Sequence, residues 1–127
     1  MKWLESAQVA AGEIEHDEER IRSLCEIGSS FVEAKRNDRS IEAFDAARES
    51  AEKLDNLHRD LFLATCALGF LVAGSGELAD RTLDIVTDKT HISSALLGFA
   101  RHYWNSGDKN LALDTLDEAY SILASQR

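Results

Sequence analysis

The sequence predicts an all-α fold: about seven antiparallel helices, paired into hairpins in one domain over residues 1–127. Three observations predict it. Apolar residues recur at spacings of three, four and seven, which place them on one stripe of a helix. One spaced pattern occurs three times along the chain, and a repeat of this length marks stacked helical units. Short polar runs with glycine, asparagine and aspartate fall between the stripes, where turns and helix caps are needed.

The pattern is clearest in its last occurrence, Leu96-x2-Phe99-Ala100-x2-Tyr103-x8-Ala112-x3-Leu116-x2-Ala119. The same spacing gives Leu63-x2-Cys66-Ala67-x2-Phe70-x8-Ala79-x3-Leu83-x2-Val86, and before it Leu24-x2-Ile27-Gly28-x2-Phe31-x8-Ser40-x3-Phe44-x2-Ala47. The units start 39 and then 33 residues apart, so the spare residues lie in the first connection, around Lys53 to Arg59. Small residues at Gly28, Ala67 and Ala100, and at Ser40, Ala79 and Ala112, let the two helices of a hairpin approach closely. Phe31, Phe70 and Tyr103 fill the wedge between them.

In chain order, residues 1–20 hold an N-terminal helix with the stripe Leu4, Ala7, Ala11 and Ile14. Its Leu4-x2-Ala7 echoes Phe44-x2-Ala47 and Leu116-x2-Ala119, so it reads as the second helix of an incomplete preceding unit. Unit 1 occupies 21–54, unit 2 occupies 60–92 and unit 3 occupies 93–126. Asp17, Asn56 and Thr90 are the candidate caps of the first helices; Asn37 or Asp38, and Asp108, are those of the second helices. The tract Ser40 to Lys53 predicts a long second helix. No helix follows unit 3, so the face formed by Ala119, Ile122 and Leu123 lacks the polar cover that repeat arrays need. Either a longer array continues from there, or that end associates with something.

These units resemble the tetratricopeptide repeat family, whose 34-residue helix–turn–helix unit carries a W-x2-L-G-x2-Y…A…F…A pattern. The resemblance covers residues 21 to about 125 in three degenerate repeats. No unit has the family's tryptophan, the glycine survives only as Gly28, and the proline that closes the second helix is missing because the chain has none. The resemblance implies a right-handed α-α superhelix, a curved array whose concave face, built from first helices, holds a peptide or a partner helix. Members that grip acidic chaperone tails carry a lysine, asparagine and arginine clamp. The matching positions here are Cys25, Ser29, Thr65, Ser94 and Gly98, so that use is not expected.

One stretch points elsewhere. Gly74-Ser75-Gly76-Glu77-Leu78-Ala79 fits the dinucleotide fingerprint G-x-G-x-x-G/A. That reading needs a strand over Leu68 to Ala73, further β-α units and an acidic residue about 20 positions on. Asp84 and Asp88 come too early, and the tract after the glycines has helical period. Gly74 instead matches Gly107 at the end of a first helix, where a left-handed backbone suits glycine.

The remaining signals narrow the function class. Lys and Arg number 14 against 23 Asp and Glu, a formal net charge of −9, which disfavours nucleic acid and anionic membranes as partners. The uncharged run Leu61 to Gly76 is 16 residues long, short of the roughly 20 that span a bilayer. No signal peptide is read at the N-terminus, and a cytoplasmic setting is expected. Cys25 and Cys66 read as reduced core thiols, with a disulfide pair as the alternative. His16, His58, His91 and His102 are too far apart for a metal-ligand spacing. The segment from His16 to Glu19 is read as a solvated acidic helix start. Arg81, Asp84 and Asp88 read as surface pairs.

No catalytic set, metal or cofactor is therefore expected. The predicted function is a non-catalytic interaction module that takes a protein or peptide with apolar anchors. Leu61, Leu68, Leu71, Leu97 and Trp104 are the expected apolar patch on the concave face, with Ser29 and Asn105 beside them and Arg22 and Arg101 at the rim. They are among the first-helix residues that the repeat stripe leaves unused. Self-association through this face or the uncovered last helix is a second form of the same prediction. Two other readings remain: a small helical-repeat enzyme or ligand carrier with a pocket in the curve, and an N-terminal helix that fills the curve with Trp3 and Leu4.

Overall fold

The apolar stripes become seven α-helices, with no strand among the described residues. A computed structural model describes residues 2–12, 16–55 and 57–125 of the chain. The helices are α1 (Lys2–Gly12), α2 (Asp17–Glu33), α3 (Asn37–Glu52), α4 (His58–Val72), α5 (Gly76–Asp84), α6 (Lys89–Asn105) and α7 (Lys109–Ala124). Helices α2 and α3, α4 and α5, and α6 and α7 pack as hairpins, and α1 lies against α2. The middle helix α4 touches α2, α3, α5 and α6, which is why its sequence is apolar on nearly every side. Candidate N-terminal stripe residues Leu4 and Ala11 are buried; Ile14 lies outside the described residues.

Close approach within the first hairpin is visible atom by atom. The Ser40 hydroxyl donates to the Gly28 carbonyl at 2.8 Å, binding α3 to α2 at the two small residues of unit 1. A Cβ on Gly28 would stand 2.8 Å from the Phe44 ring, closer than real side chains tolerate. The same ring fills the space beside Gly69 of α4, so Phe44 is wedged between two glycines on two different helices. It meets the Phe70 ring edge-on, with centroids 6.2 Å apart. The equivalent small residues Ala67, Ala79, Ala100 and Ala112 are all buried. Phe31 and Phe70 are fully buried in their hairpins, whereas Tyr103 is only half-buried.

Turn chemistry follows the glycines and departs from several expected caps. Gly74 has φ 98° and Gly107 has φ 90°, the left-handed region open to glycine at a helix end. The first hairpin makes the same turn with Lys35 at φ 62°, a strained position for a side chain with a Cβ. Asp108 caps α7, its carboxylate accepting from the Leu111 N–H. Ser75 caps α5 by accepting from the Leu78 N–H. The cap of α6 is Asp88, not Thr90: its carboxylate accepts from the Thr90 and His91 N–H groups. Asn37 and Asp17 are first residues inside their helices rather than caps, and neither helix start has a side-chain cap. Asn56 lies outside the described residues.

The second helices are unequal. Helices α3 and α7 run 16 residues each, but α5 stops after 9. Its end is tied down from the neighbouring helix. Asp60, in the first turn of α4, accepts from the Asp88 N–H at 2.7 Å, the Thr87 hydroxyl at 3.0 Å and the Thr87 N–H at 3.1 Å. Burial alone would raise this carboxyl, yet these donors and Arg59 hold it below the ordinary range. The clamp fixes the α5–α6 connection and so sets where the last hairpin stacks.

Candidate partner-binding surfaces

Because the chain repeats its register, equivalent residues present themselves to successive neighbours. Residues 64, 71 and 83 of unit 2 correspond to 97, 104 and 116 of unit 3, each 33 positions on. In unit 2, where α6 packs along α4, Ala64 is 6% exposed and Leu71 is 8% exposed. In unit 3, which no described helix follows, Leu97 is 44% and Trp104 is 48% exposed. A cleft of about 300 Å³ opens there, lined by Leu97, Ala100, Arg101 and Trp104 of α6 and by Ala112 and Leu116 of α7. Leu113, Tyr120 and Leu123 extend the apolar surface along α7.

The cleft carries basic charge in an acidic chain. Arg101 lines it and makes no ion pair among the described residues. Lys109 stands over the Trp104 ring, its ammonium 5.1 Å from the centroid. Tyr103, beside Trp104 in sequence, does not line the cleft but packs against the core; burial foremost and then Asp80 and Asp108 push its phenol up.

A second opening lies on the face expected to be concave. A groove of about 330 Å³ runs between α2 and α4, lined by Cys25, Ser29, Glu33, Thr65 and Leu68 among others, with Phe44 at its base. Four positions assigned to the concave side from the sequence (25, 29, 65 and 68) do meet in it. Val32, Gly69 and Val72 also line it; the sequence reading missed them, although Val32 and Val72 are apolar residues that the repeat stripe leaves unused.

The expected single patch is divided. Ser29 and Leu68 lie in the α2–α4 groove, while Leu97, Arg101 and Trp104 lie in the α6–α7 cleft. Leu71, expected on the exposed patch, is instead buried in the core, on a helix that α6 packs against. Leu61 is half exposed near the start of α4 and lines neither opening. Arg22 sits with its guanidinium carbon 5.4 Å from the Phe62 ring centroid, away from both openings. Asn105 is the exposed last residue of α6. Leu68 is half-buried, its Cδ2 lying where a Cβ on Gly98 would be 2.8 Å away.

Two competing sequence readings meet the structure here. The described residues of the N-terminal helix do not fill the groove: none of them lines it, Trp3 is 71% exposed, and Glu5 reaches Arg39 at 3.4 Å instead. The residues before Gly74 form α4, a helix, so the fingerprint lacks the strand that a dinucleotide turn requires. Arg81 pairs with Glu77 at 2.6 Å rather than with Asp84 or Asp88. Among the described residues no three of His, Cys, Asp and Glu gather as metal ligands, and no helix is long and apolar enough to cross a membrane.

Comparison of the chain with models of known families, with curated proteins and with solved structures finds no match.

Proposed function

We propose that this protein is a non-catalytic interaction module of the tetratricopeptide type, acting in the cytoplasm, whose last hairpin receives an amphipathic helix of a protein partner. The observation that carries the reading is the contrast between Leu71, buried under the next helix, and Trp104, open at the same register position. Where unit 2 receives α6, unit 3 offers a surface of the same construction that no described helix covers. Exposed apolar surface of this extent is a usual mark of association. Arg101 and Lys109 select the partner's flanks: the helix that fits has two or three large apolar residues on one stripe and acidic residues beside them. Fully burying each anchor contributes about 1.5–3 kcal/mol, so three anchors support roughly micromolar affinity after association costs.

Pull-down from source lysate tests the reading, with wild type beside Leu97→Glu plus Trp104→Glu. Both changes are at exposed positions, so the variant should stay folded by circular dichroism while losing a partner that wild type retains. A folded variant that keeps every bound protein contradicts the reading. Recovery of untagged copies of the chain itself, lost in the variant, would identify the occupant as a second copy.

A further inference from the structure

The two cysteines are 41 positions apart in sequence and face each other in space. Cys25 of α2 and Cys66 of α4 are free thiols with their sulfurs 4.0 Å apart. Their settings differ. Cys25 is half-buried and lines the α2–α4 groove, while Cys66 is fully buried beneath it. A disulfide bond is about 2.05 Å long, so the sulfurs must close by about 2 Å, within reach of rotation about the Cα–Cβ bonds.

We propose that Cys25 and Cys66 are a reversible dithiol–disulfide couple, with Cys25 as the entry thiol on the groove and Cys66 as the resolving thiol beneath it. The oxidant is a low-molecular-weight disulfide such as glutathione disulfide. Cys25 loses its proton to solvent, and its thiolate attacks one sulfur of the small disulfide. The S–S bond of that molecule breaks, one glutathione thiolate leaves and takes up a proton, and a mixed disulfide remains on Cys25. Cys66 then loses its proton, and its thiolate attacks the Cys25 sulfur. The bond to the second glutathione breaks, and that thiolate leaves and is protonated. One small disulfide is consumed, two small thiols are released, and the two cysteine hydrogens are accounted for in them.

The order of events follows from the surroundings. The hydrogen bond with Cys25 foremost, and then burial, hold the Cys66 thiol well above its ordinary range. Fully buried and with a thiol that ionises less readily than an ordinary one, Cys66 is out of reach of an external disulfide and reacts with the sulfur beside it. The product staples α2 to α4, the two walls of the groove, and leaves the α6–α7 cleft untouched. The thiol couple is thus independent of what docks at the far end.

The test is incubation of the native protein in glutathione buffers of graded ratio, acid quench, alkylation and non-reducing peptide mapping. Wild type should give a Cys25–Cys66 crosslink within a monomer, reversed by excess glutathione. Cys66→Ala should stop at a mixed disulfide on Cys25, and Cys25→Ala should leave Cys66 unmodified while the protein is folded. If Cys66→Ala does not fold, Cys66→Ser serves the same purpose; if neither folds, wild type quenched at early times must show the mixed disulfide on Cys25 before the crosslink. Glutathione held stably on Cys25 of wild type, crosslinks only between chains, or persistence of both thiols at every ratio would overturn the couple. Modification of Cys66 in Cys25→Ala as fast as Cys25 reacts in Cys66→Ala would overturn the order.

Discussion

The middle hairpin and the last hairpin share one register and have opposite fates. In the middle one, Ala64 and Leu71 are packed under α6; in the last one, Leu97 and Trp104 face solvent together with Leu113 and Tyr120. Helical period decides which residues point toward the next neighbour. Whether they are buried depends on whether that neighbour is present, a fact about the stack rather than about any one helix. The residues also differ in size along the series. Unit 2 presents alanine at 64 where unit 3 presents leucine at 97, and leucine at 71 where unit 3 presents tryptophan at 104. The open end is thus larger and more aromatic than the internal contact, as association surfaces commonly are.

Paired substitutions sharpen this comparison by urea denaturation. Leu71→Ala should be the most damaging, lowering stability by about 2–5 kcal/mol as a cavity under α6. A loss as small as that of an exposed residue would mean that α6 does not cover this side of α4. Asp60→Ala comes next, at about 1.5–3 kcal/mol, because the charged acceptor that joins α4 to the α5–α6 connection is lost. Its pH dependence has a definite sign. The folded-state carboxyl is depressed below its ordinary 3.8, so its contribution is fully present above that value. It is lost as pH falls through the folded-state value, and the gap between wild type and variant should close there. A gap that widens on acidification would show that Asp60 is not held in its charged form.

Gly69→Ala should lower stability by about 1–3 kcal/mol, since the added Cβ runs into the wedged Phe44 ring. Gly98→Ala meets only the flexible end of Leu68, and relief of a helical glycine offsets that contact, so its effect should lie within about 1 kcal/mol of zero. Equal losses at both would remove the distinction between ring and side-chain end. Trp104→Ala is expected to have the smallest effect, about 0.5 kcal/mol, at an exposed position with one cation over its ring. A loss approaching that of Leu71→Ala would show that Trp104 is a core residue and close the cleft.

Much of the fold is legible because it is local. The triple spacing led to three hairpins, the small residues at 28 and 40 to a hydrogen-bonded contact, and the glycines at 74 and 107 to left-handed helix ends. Features that depend on long-range packing are not legible in the same way. Leu71 looks like an unused apolar residue until α6 is in place against it. Asp60 carries no local signal at all, since its partners Thr87 and Asp88 lie 27 and 28 positions away. The cap of α6 lies two residues before the one its sequence suggests, because Thr90 and Asp88 are both good caps by type and only the geometry chooses. Cys25 and Cys66 fell into different repeat classes, one on the stripe and one off it. Their encounter comes from the stacking of unit 1 on unit 2.

The central claim is that the cleft of the last hairpin is a docking surface and not merely exposed apolar area. A photo-crosslinking side chain placed at position 104, compared with one at position 57, tests it most directly. Leu57 is 91% exposed and lies outside the cleft, so it reports simple accessibility. Illumination in source lysate should give a discrete adduct from position 104, on an apolar segment with acidic flanks, that disappears when Leu97→Glu is added, while position 57 gives none. Equal labelling from the two positions, or a position-104 adduct indifferent to Leu97→Glu, would contradict the claim.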